Sequence, residues 1–304
     1  MPASTHLRGV IVPLATPFDR TGEIDEAAFR REVSFMIERG VDGVVVGGST
    51  GEGYALTDAE FVALVEVAVD AAAGRVPVVA SVIADSTRAA VARATAAAAH
   101  PIAALQVAPP HYIFAPDAAG QVEFYRAIGD AVPLPVIVYN VIPWANVTAE
   151  TAIAIMRAAP SVVAIKQSDR DFGAYAALVE AVGADRVFAA IDAGLLSCYE
   201  LGAAGSIAAI ATAAPEANVR LWQAVRQRDR LRCHAIHRGL LALWATLAAP
   251  NLPARVKAAL TVQGVAAGFP RSPMAPATAA ETAAIADALA DLKGILAGSL
   301  ERIA

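Results

Sequence analysis

Short runs of small and β-branched apolar residues recur along the chain. Longer segments lie between them, with apolar positions that return every three or four residues. The runs 10–14, 41–46, 76–82, 103–108, 135–139, 162–166, 187–191 and 205–210 have the length and continuity of strands buried on both faces. Between the first two, residues 26–39 place Phe29, Val33, Met36 and Ile37 at helical spacing, and Gly40 ends the segment. Helices are likewise predicted over about 58–73, with Thr57 or Asp58 as N-cap, and over 86–99, 118–131, 148–159, 172–182, 195–201 and 215–226. Such alternation implies an α/β fold with a parallel sheet under helices, and eight units favour closure into a (β/α)8 TIM barrel. A doubly wound open sheet is the competing fold. Its glycine-rich loop would follow the first strand, whereas residues 47–53 here follow the second. After residue 231 the strands stop, and 231–247, 253–264 and 279–300 read as three added helices. No Gly/Ser-rich linker precedes them. The expected organisation is therefore a barrel over residues 1–228 and a C-terminal helical extension of the same domain over 229–304.

Composition narrows the function classes. The 304 residues are 57% hydrophobic and 17% charged, enough apolar material for a large core. A net charge of −5 and the lack of any basic cluster give no electrostatic reason to bind nucleic acid. No 18-residue stretch is both free of charge, Pro and Gly and apolar enough to span a bilayer, so no membrane partner is expected. Cys198 and Cys233 are too few for a disulfide framework, and residues 1–8 lack a leader pattern; both point to the cytoplasm. Cys233, His234 and His237 are spaced as metal ligands could be, but no acidic or further histidine partner joins them, and no metal is expected. Residues 47–53 lack the Gly-Lys-Ser/Thr ending of a phosphate loop.

The strand ends carry the chemistry. In a barrel, Ser49 and Thr50 after the second strand, His111 and Tyr112 after the fourth, Tyr139 and Asn140 at the fifth and Lys166 at the sixth all project onto one face. Lys166 could be a strand-end side chain reaching for solvent. Lysine is, however, rarely placed in a buried layer without a partner or a task. An amine attacks a carbonyl only when neutral, a state that a dry apolar wall such as 162–165 favours. The hydroxyls and glycine-flanked backbone N–H groups at 48–51 suit a carboxylate. Together these make a site for a small-molecule 2-oxo acid: Ser49 and Thr50 hold the carboxylate, Lys166 attacks the ketone and Tyr139 moves protons. The resulting imine is itself the electron sink, so no cofactor is required.

Gly48-Ser49-Thr50-Gly51-Glu52, Tyr139-Asn140 and Ile165-Lys166 resemble the dihydrodipicolinate synthase / N-acetylneuraminate lyase family of class I Schiff-base aldolases. Ala15-Thr16-Pro17-Phe18, Gly202-Ala203-Ala204-Gly205-Ser206-Ile207 and Asn251-Leu252-Pro253-Ala254-Arg255-Val256-Lys257 fit the same pattern, which covers about residues 7 to 275. The resemblance implies a lyase acting on pyruvate or a related 2-oxo acid, by aldol cleavage or condensation or by dehydration of a 2-keto-3-deoxy acid. It implies an imine on Lys166, acid/base catalysis by Tyr139, carboxylate binding by Ser49 and Thr50, and backbone contacts from Thr50 and Ile207. It further implies a homotetramer built as a dimer of dimers, in which a tyrosine from a neighbouring subunit completes a proton relay. Tyr112 is the candidate, with His111 as the alternative. Glu52 is expected to be structural, pairing with backbone or a cation in its loop.

Two departures bear on the second substrate. The family's synthases follow Tyr-Asn with a segment carrying an arginine for the acceptor's carboxylate. Here Val141-Ile142-Pro143-Trp144-Ala145-Asn146 has an indole and no cation. The glycine that the family places two positions before the seventh-strand aspartate is Ala190, ahead of Asp192. Trp144, Ile191 and Phe114 thus suggest a less polar acceptor, with Trp144 as a specificity residue. Asp192 could contact a substrate hydroxyl or cap the helix from Leu195. A true dihydrodipicolinate synthase and a catalytically silent ligand-binding barrel are the alternative readings; the intact Lys-Tyr-Ser-Thr set argues against the silent one.

Overall fold

The computed structural model describes residues 7–301, with side chains as far as Gly298. Met1–Arg8, read above for a leader, falls outside them except for Leu7 and Arg8. Eight strands form: β1 Gly9–Pro13, β2 Gly43–Val46, β3 Val78–Val82, β4 Ala104–Val107, β5 Val136–Asn140, β6 Val162–Gln167, β7 Val187–Ala189 and β8 Gly205–Ser206. They pair in parallel in sequence order, and β8 returns to β1 to close the barrel. Around them run α1 Glu26–Glu38, α2 Asp58–Ala72, α3 Thr87–Ala98, α4 Ala118–Ala131, α5 Ala149–Ala158, α6 Phe172–Val182 and α7 Leu195–Glu200. The chain continues through α8 Ala209–Ala213, α9 Pro215–Arg226, α10 Arg230–Leu247, α11 Leu252–Val262 and α12 Ala279–Glu301. The (β/α)8 barrel with added C-terminal helices is the observed fold.

Strand side chains alternate between two buried layers, which is why the strands read as unbroken apolar runs. Ile11, Val45, Val79, Ala104, Ile137, Ala164 and Phe188 fill the barrel axis. Val10, Val12, Val44, Val46, Val138 and Ile165 face outward beneath the helices.

Strand β6 breaks this alternation once. Val136 pairs with Val162, but Ile137 pairs with Ala164, so Val163 is an extra residue; it is 42% exposed rather than buried on both faces. The bulge resets the parity of the strand. Val162 faces out, whereas Ala164 and then Lys166 face the axis.

The last two strands are shorter than their apolar runs. β7 stops at Ala189, and β8 covers only the first two residues of 205–210. The alanine-rich remainder turns into α8, whose Ile210 N–H donates to an Asp192 carboxylate oxygen at 2.8 Å. A good helix-forming composition with a carboxylate cap outweighs strand continuation. Thr57 caps α2 in a full capping box with Glu60. Among the added helices, Arg255 of α11 pairs with Glu281 of α12 at 2.5 Å. Arg220 of α9 donates to the Leu296 carbonyl of α12 at 3.1 Å.

One acid is enclosed beneath the first strand end. Glu32 of α1 is fully buried and accepts from the Ala15 N–H at 2.7 Å, and its second oxygen has no partner. Burial pushes its carboxyl from 4.5 up to about 8, opposed by the Ala15 N–H and the Lys257 charge. Between those pH values the folded chain holds a proton that the unfolded chain has released, so stability falls as pH rises through that window. The wild-type melting temperature is expected to fall between about pH 5 and pH 9. Glu32→Gln keeps an acceptor for Ala15 and should flatten that decline; parallel slopes in thermal melts would exclude Glu32 as its source.

Candidate active site

The β5–β6 pairing brings Tyr139 and Lys166 into register as direct neighbours, both facing the axis. They are 3% and 4% exposed, and the Lys166 Nζ lies 3.9 Å from the centre of the Tyr139 ring. The Tyr139 hydroxyl donates to Ser49 Oγ at 3.0 Å, across the barrel mouth from β5 to the loop after β2. Three residues expected from three different strands therefore meet in one constellation. Thr50 is buried beside Ser49.

The turn carrying Ser49 and Thr50 is tightly wound. Gly51 N–H and Gly53 N–H both donate to the Gly48 carbonyl at 3.0 Å, and Thr16 Oγ1 donates to the Gly51 carbonyl at 2.7 Å. A Cβ at Gly53 would sit 1.8 Å from the Gly47 carbonyl oxygen, and one at Gly51 would sit 2.4 Å from that of Leu14, so only glycine fits. Among the described residues, the N–H groups of Ser49 and Thr50 have no protein acceptor, and they can serve an anion. Glu52 adopts a left-handed backbone (φ 56°) and is fully enclosed. Sequence reading paired it with backbone or with a cation in the loop: one oxygen does accept from a backbone N–H, that of Arg271, at 2.9 Å, and its cation is Lys257 of α11, at 2.5 Å.

Asp192 stands at the end of β7. Removal from water pushes its carboxyl up to about 6, while the Ile210 N–H and then the Lys166 charge pull it down. Its carboxylate caps α8; the helix from Leu195 has no side-chain cap. Ile207 is buried in the axial cluster, and its N–H already donates to the Ala189 carbonyl at 2.9 Å, which leaves its carbonyl available.

The rim beyond β4 and β5 is strapped together. Asp85 accepts from both the His111 and the Tyr112 backbone N–H at 2.8 Å, and the His111 Nδ1 lies 3.4 Å from the same carboxylate. Trp144 Nε1 donates to the His111 carbonyl at 2.7 Å, tying the loop after β5 to the loop after β4. Asn140 shapes that β5 loop by exchanging two 2.9 Å hydrogen bonds with the Val147 backbone. The straps hold Tyr112 (72% exposed), Phe114 (86%) and the Trp144 ring (64%) outward. No hydrogen bond or ring contact joins Tyr112 or Trp144 to Lys166 or Tyr139 within the chain.

Sequence reading missed the roles of three residues here. Gln106 of β4 is fully buried two positions beyond axial Ala104, donates to Ser81 Oγ at 3.0 Å and keeps an unpartnered Oε1. A glutamine inside the apolar run was the signal for it. Asp85 gave no local signal, and Lys257 was read only as the end of the segment 251–257; the partners of both are distant in sequence. Among the described residues, no three His, Cys, Asp or Glu side chains converge as metal ligands, both cysteines are free and buried, and no helix is long and apolar enough to cross a membrane.

Comparison with known proteins gives a consistent result. A profile described as the dihydrodipicolinate synthetase family matches residues 6–292. The 4-hydroxy-tetrahydrodipicolinate synthase of Exiguobacterium sibiricum is 33% identical over 95% of this chain and 99% of its own length. That of Thermomicrobium roseum is 35% identical over 93% and 94%. The crystal structure of dihydrodipicolinate synthase from Thermotoga maritima superposes with a TM-score of 0.89 at 27% identity, covering 95% of this chain and 99% of that one.

Proposed function

Because the chain belongs to the dihydrodipicolinate synthetase family and is a lyase of the class I aldolase type, we propose that Lys166 forms a Schiff base with pyruvate or a related 2-oxo acid. The observation that carries this reading is the contact set Lys166–Tyr139–Ser49. The neutral amine adds to the ketone carbon, and water leaves as the imine forms. Tyr139, hydrogen-bonded to Ser49, is the acid/base of the proton transfers that follow imine formation and takes the same protons back in the reverse direction. Loss of a proton from the carbon beside the imine gives an enamine that attacks an aldehyde; the reverse sequence cleaves the same bond. The free N–H groups of Ser49 and Thr50 orient the carboxylate end. Asp192, whose carboxyl the Lys166 charge reaches, is available to a hydroxyl on the acceptor side.

The working form in this reading is a cytoplasmic homotetramer, with Tyr112 extended to complete a neighbouring subunit's proton relay. The outward Tyr112–Phe114 segment and the two free cysteines support it.

The acceptor is an aldehyde without a second carboxylate. Residues 141–146 carry no cation, and their indole is held on the rim by His111. The test is pyruvate consumption with a panel of aldehydes. Uncharged aldehydes should give the higher kcat/KM, and Trp144→Arg should shift preference toward aspartate semialdehyde. Efficient condensation of aspartate semialdehyde by the wild type would overturn this acceptor assignment. It would instead support 4-hydroxy-tetrahydrodipicolinate synthase activity, the second reading, which the names of the 33% and 35% identical relatives favour.

A further inference from the structure

Lys257 comes from α11, outside the eight β–α units, yet it is only 2% exposed and reaches the turn that carries Ser49 and Thr50. Its Nζ donates to Glu52 Oε1 at 2.5 Å and to the Phe269 carbonyl at 2.7 Å, and sits 4.7 Å above the Phe18 ring. The other Glu52 oxygen accepts from the Arg271 N–H at 2.9 Å. The Arg271 side chain continues outward to the Ala55 carbonyl at 2.8 Å and to Glu60, which is on the helix that follows the same turn. Every polar atom of the Glu52 carboxylate is thus held by residues C-terminal to the barrel. Glu52 itself is in a left-handed conformation, which costs a non-glycine residue energy and persists only where its surroundings impose it. What fixes that conformation fixes the turn that leads into it, where the N–H groups of Ser49 and Thr50 have no protein acceptor.

We propose that Lys257 is a positioning residue for the carboxylate-binding turn: its buried ion pair with Glu52 sets the orientation of the Ser49 and Thr50 N–H groups, so that the C-terminal helices control affinity for the 2-oxo acid. This rests on the assignment of that turn to the substrate carboxylate. Lys257 touches neither Lys166 nor Tyr139, so its loss should leave the imine chemistry itself intact. A purely structural anchor would lower the amount of folded protein without changing how the folded fraction binds substrate.

The experiment is borohydride trapping of pyruvate on the full chain, with the adduct on Lys166 measured against pyruvate concentration. Wild type is compared with Lys257→Met, Glu52→Gln and the double variant, each checked by thermal melting. In Lys257→Met the half-saturating pyruvate concentration should rise roughly 10- to 100-fold, the scale expected when positioning shifts by up to an ångström. The maximal adduct at saturation should match wild type. The double variant should lie closer to wild type than Lys257→Met does, because it leaves no buried charge unpaired. If Lys257→Met does not fold, Glu52→Gln reads the same shift. A saturable wild-type adduct with unchanged half-saturation in the folded variants overturns the role of Lys257 and leaves the turn assignment standing. A wild type that forms no adduct overturns the turn assignment, and this inference with it.

Discussion

Replacing Lys166 by alanine should reduce turnover to the uncatalysed background while leaving a folded barrel. The chain has only three lysines, Lys166, Lys257 and Lys293, so few amines could take over. Lys257 is bound to Glu52 and the Phe269 carbonyl, and Lys293 is exposed on α12. Lys166 alone is buried, faces the barrel axis and lacks a hydrogen-bond acceptor among the described residues. Its neighbour is the face of the Tyr139 ring, 3.9 Å from the amine, which leaves the nitrogen lone pair without a hydrogen-bond partner to block it. Circular dichroism should show wild-type secondary structure for Lys166→Ala, and coupled assays should show no pyruvate turnover. Residual turnover within a few-fold of wild type would mean that the chemistry runs through another group.

Tyr139→Phe should separate the two halves of the reaction. The ring remains beside Lys166, so the imine still forms, but the hydroxyl that bonds Ser49 at 3.0 Å is gone. Proton transfer then falls to solvent, and turnover should drop by ~10²–10⁴, the usual contribution of a general acid/base. Borohydride trapping should still label the variant. A variant that loses labelling along with turnover would give Tyr139 a role in forming the imine rather than in the later proton steps. A variant with unchanged turnover would remove Tyr139 from the catalytic set.

The parts of the fold and site that follow from near neighbours in sequence were legible there. Lys166, Tyr139 and Ser49 could be read because strand ends of a parallel barrel converge on one face whatever the loops do. The start of α2 was legible as Thr57 or Asp58, because a cap adjoins its helix; the structure makes it Thr57, closed into a capping box by Glu60. The bulge at Val163 was not. Four apolar residues in a row look alike whether they alternate or slip, and only the pairing with β5 shows that the strand changes parity to turn Lys166 inward. The early end of β8 depended on Asp192, which caps α8 from 18 residues away. Glu52 and Lys257 are 205 residues apart, and neither position on its own announces the other. Trp144 was read as a group facing the acceptor. Its indole N–H is instead engaged by His111, 33 positions earlier, which makes it a strap on the rim as well as a candidate wall.

The most direct measurement is reductive trapping of the wild-type protein with pyruvate and borohydride, followed by peptide mapping by mass spectrometry. A pyruvate-derived adduct confined to the peptide that holds Lys166, and absent from those holding Lys257 and Lys293, is the predicted result. No adduct on Lys166 with pyruvate or any other 2-oxo acid would contradict it.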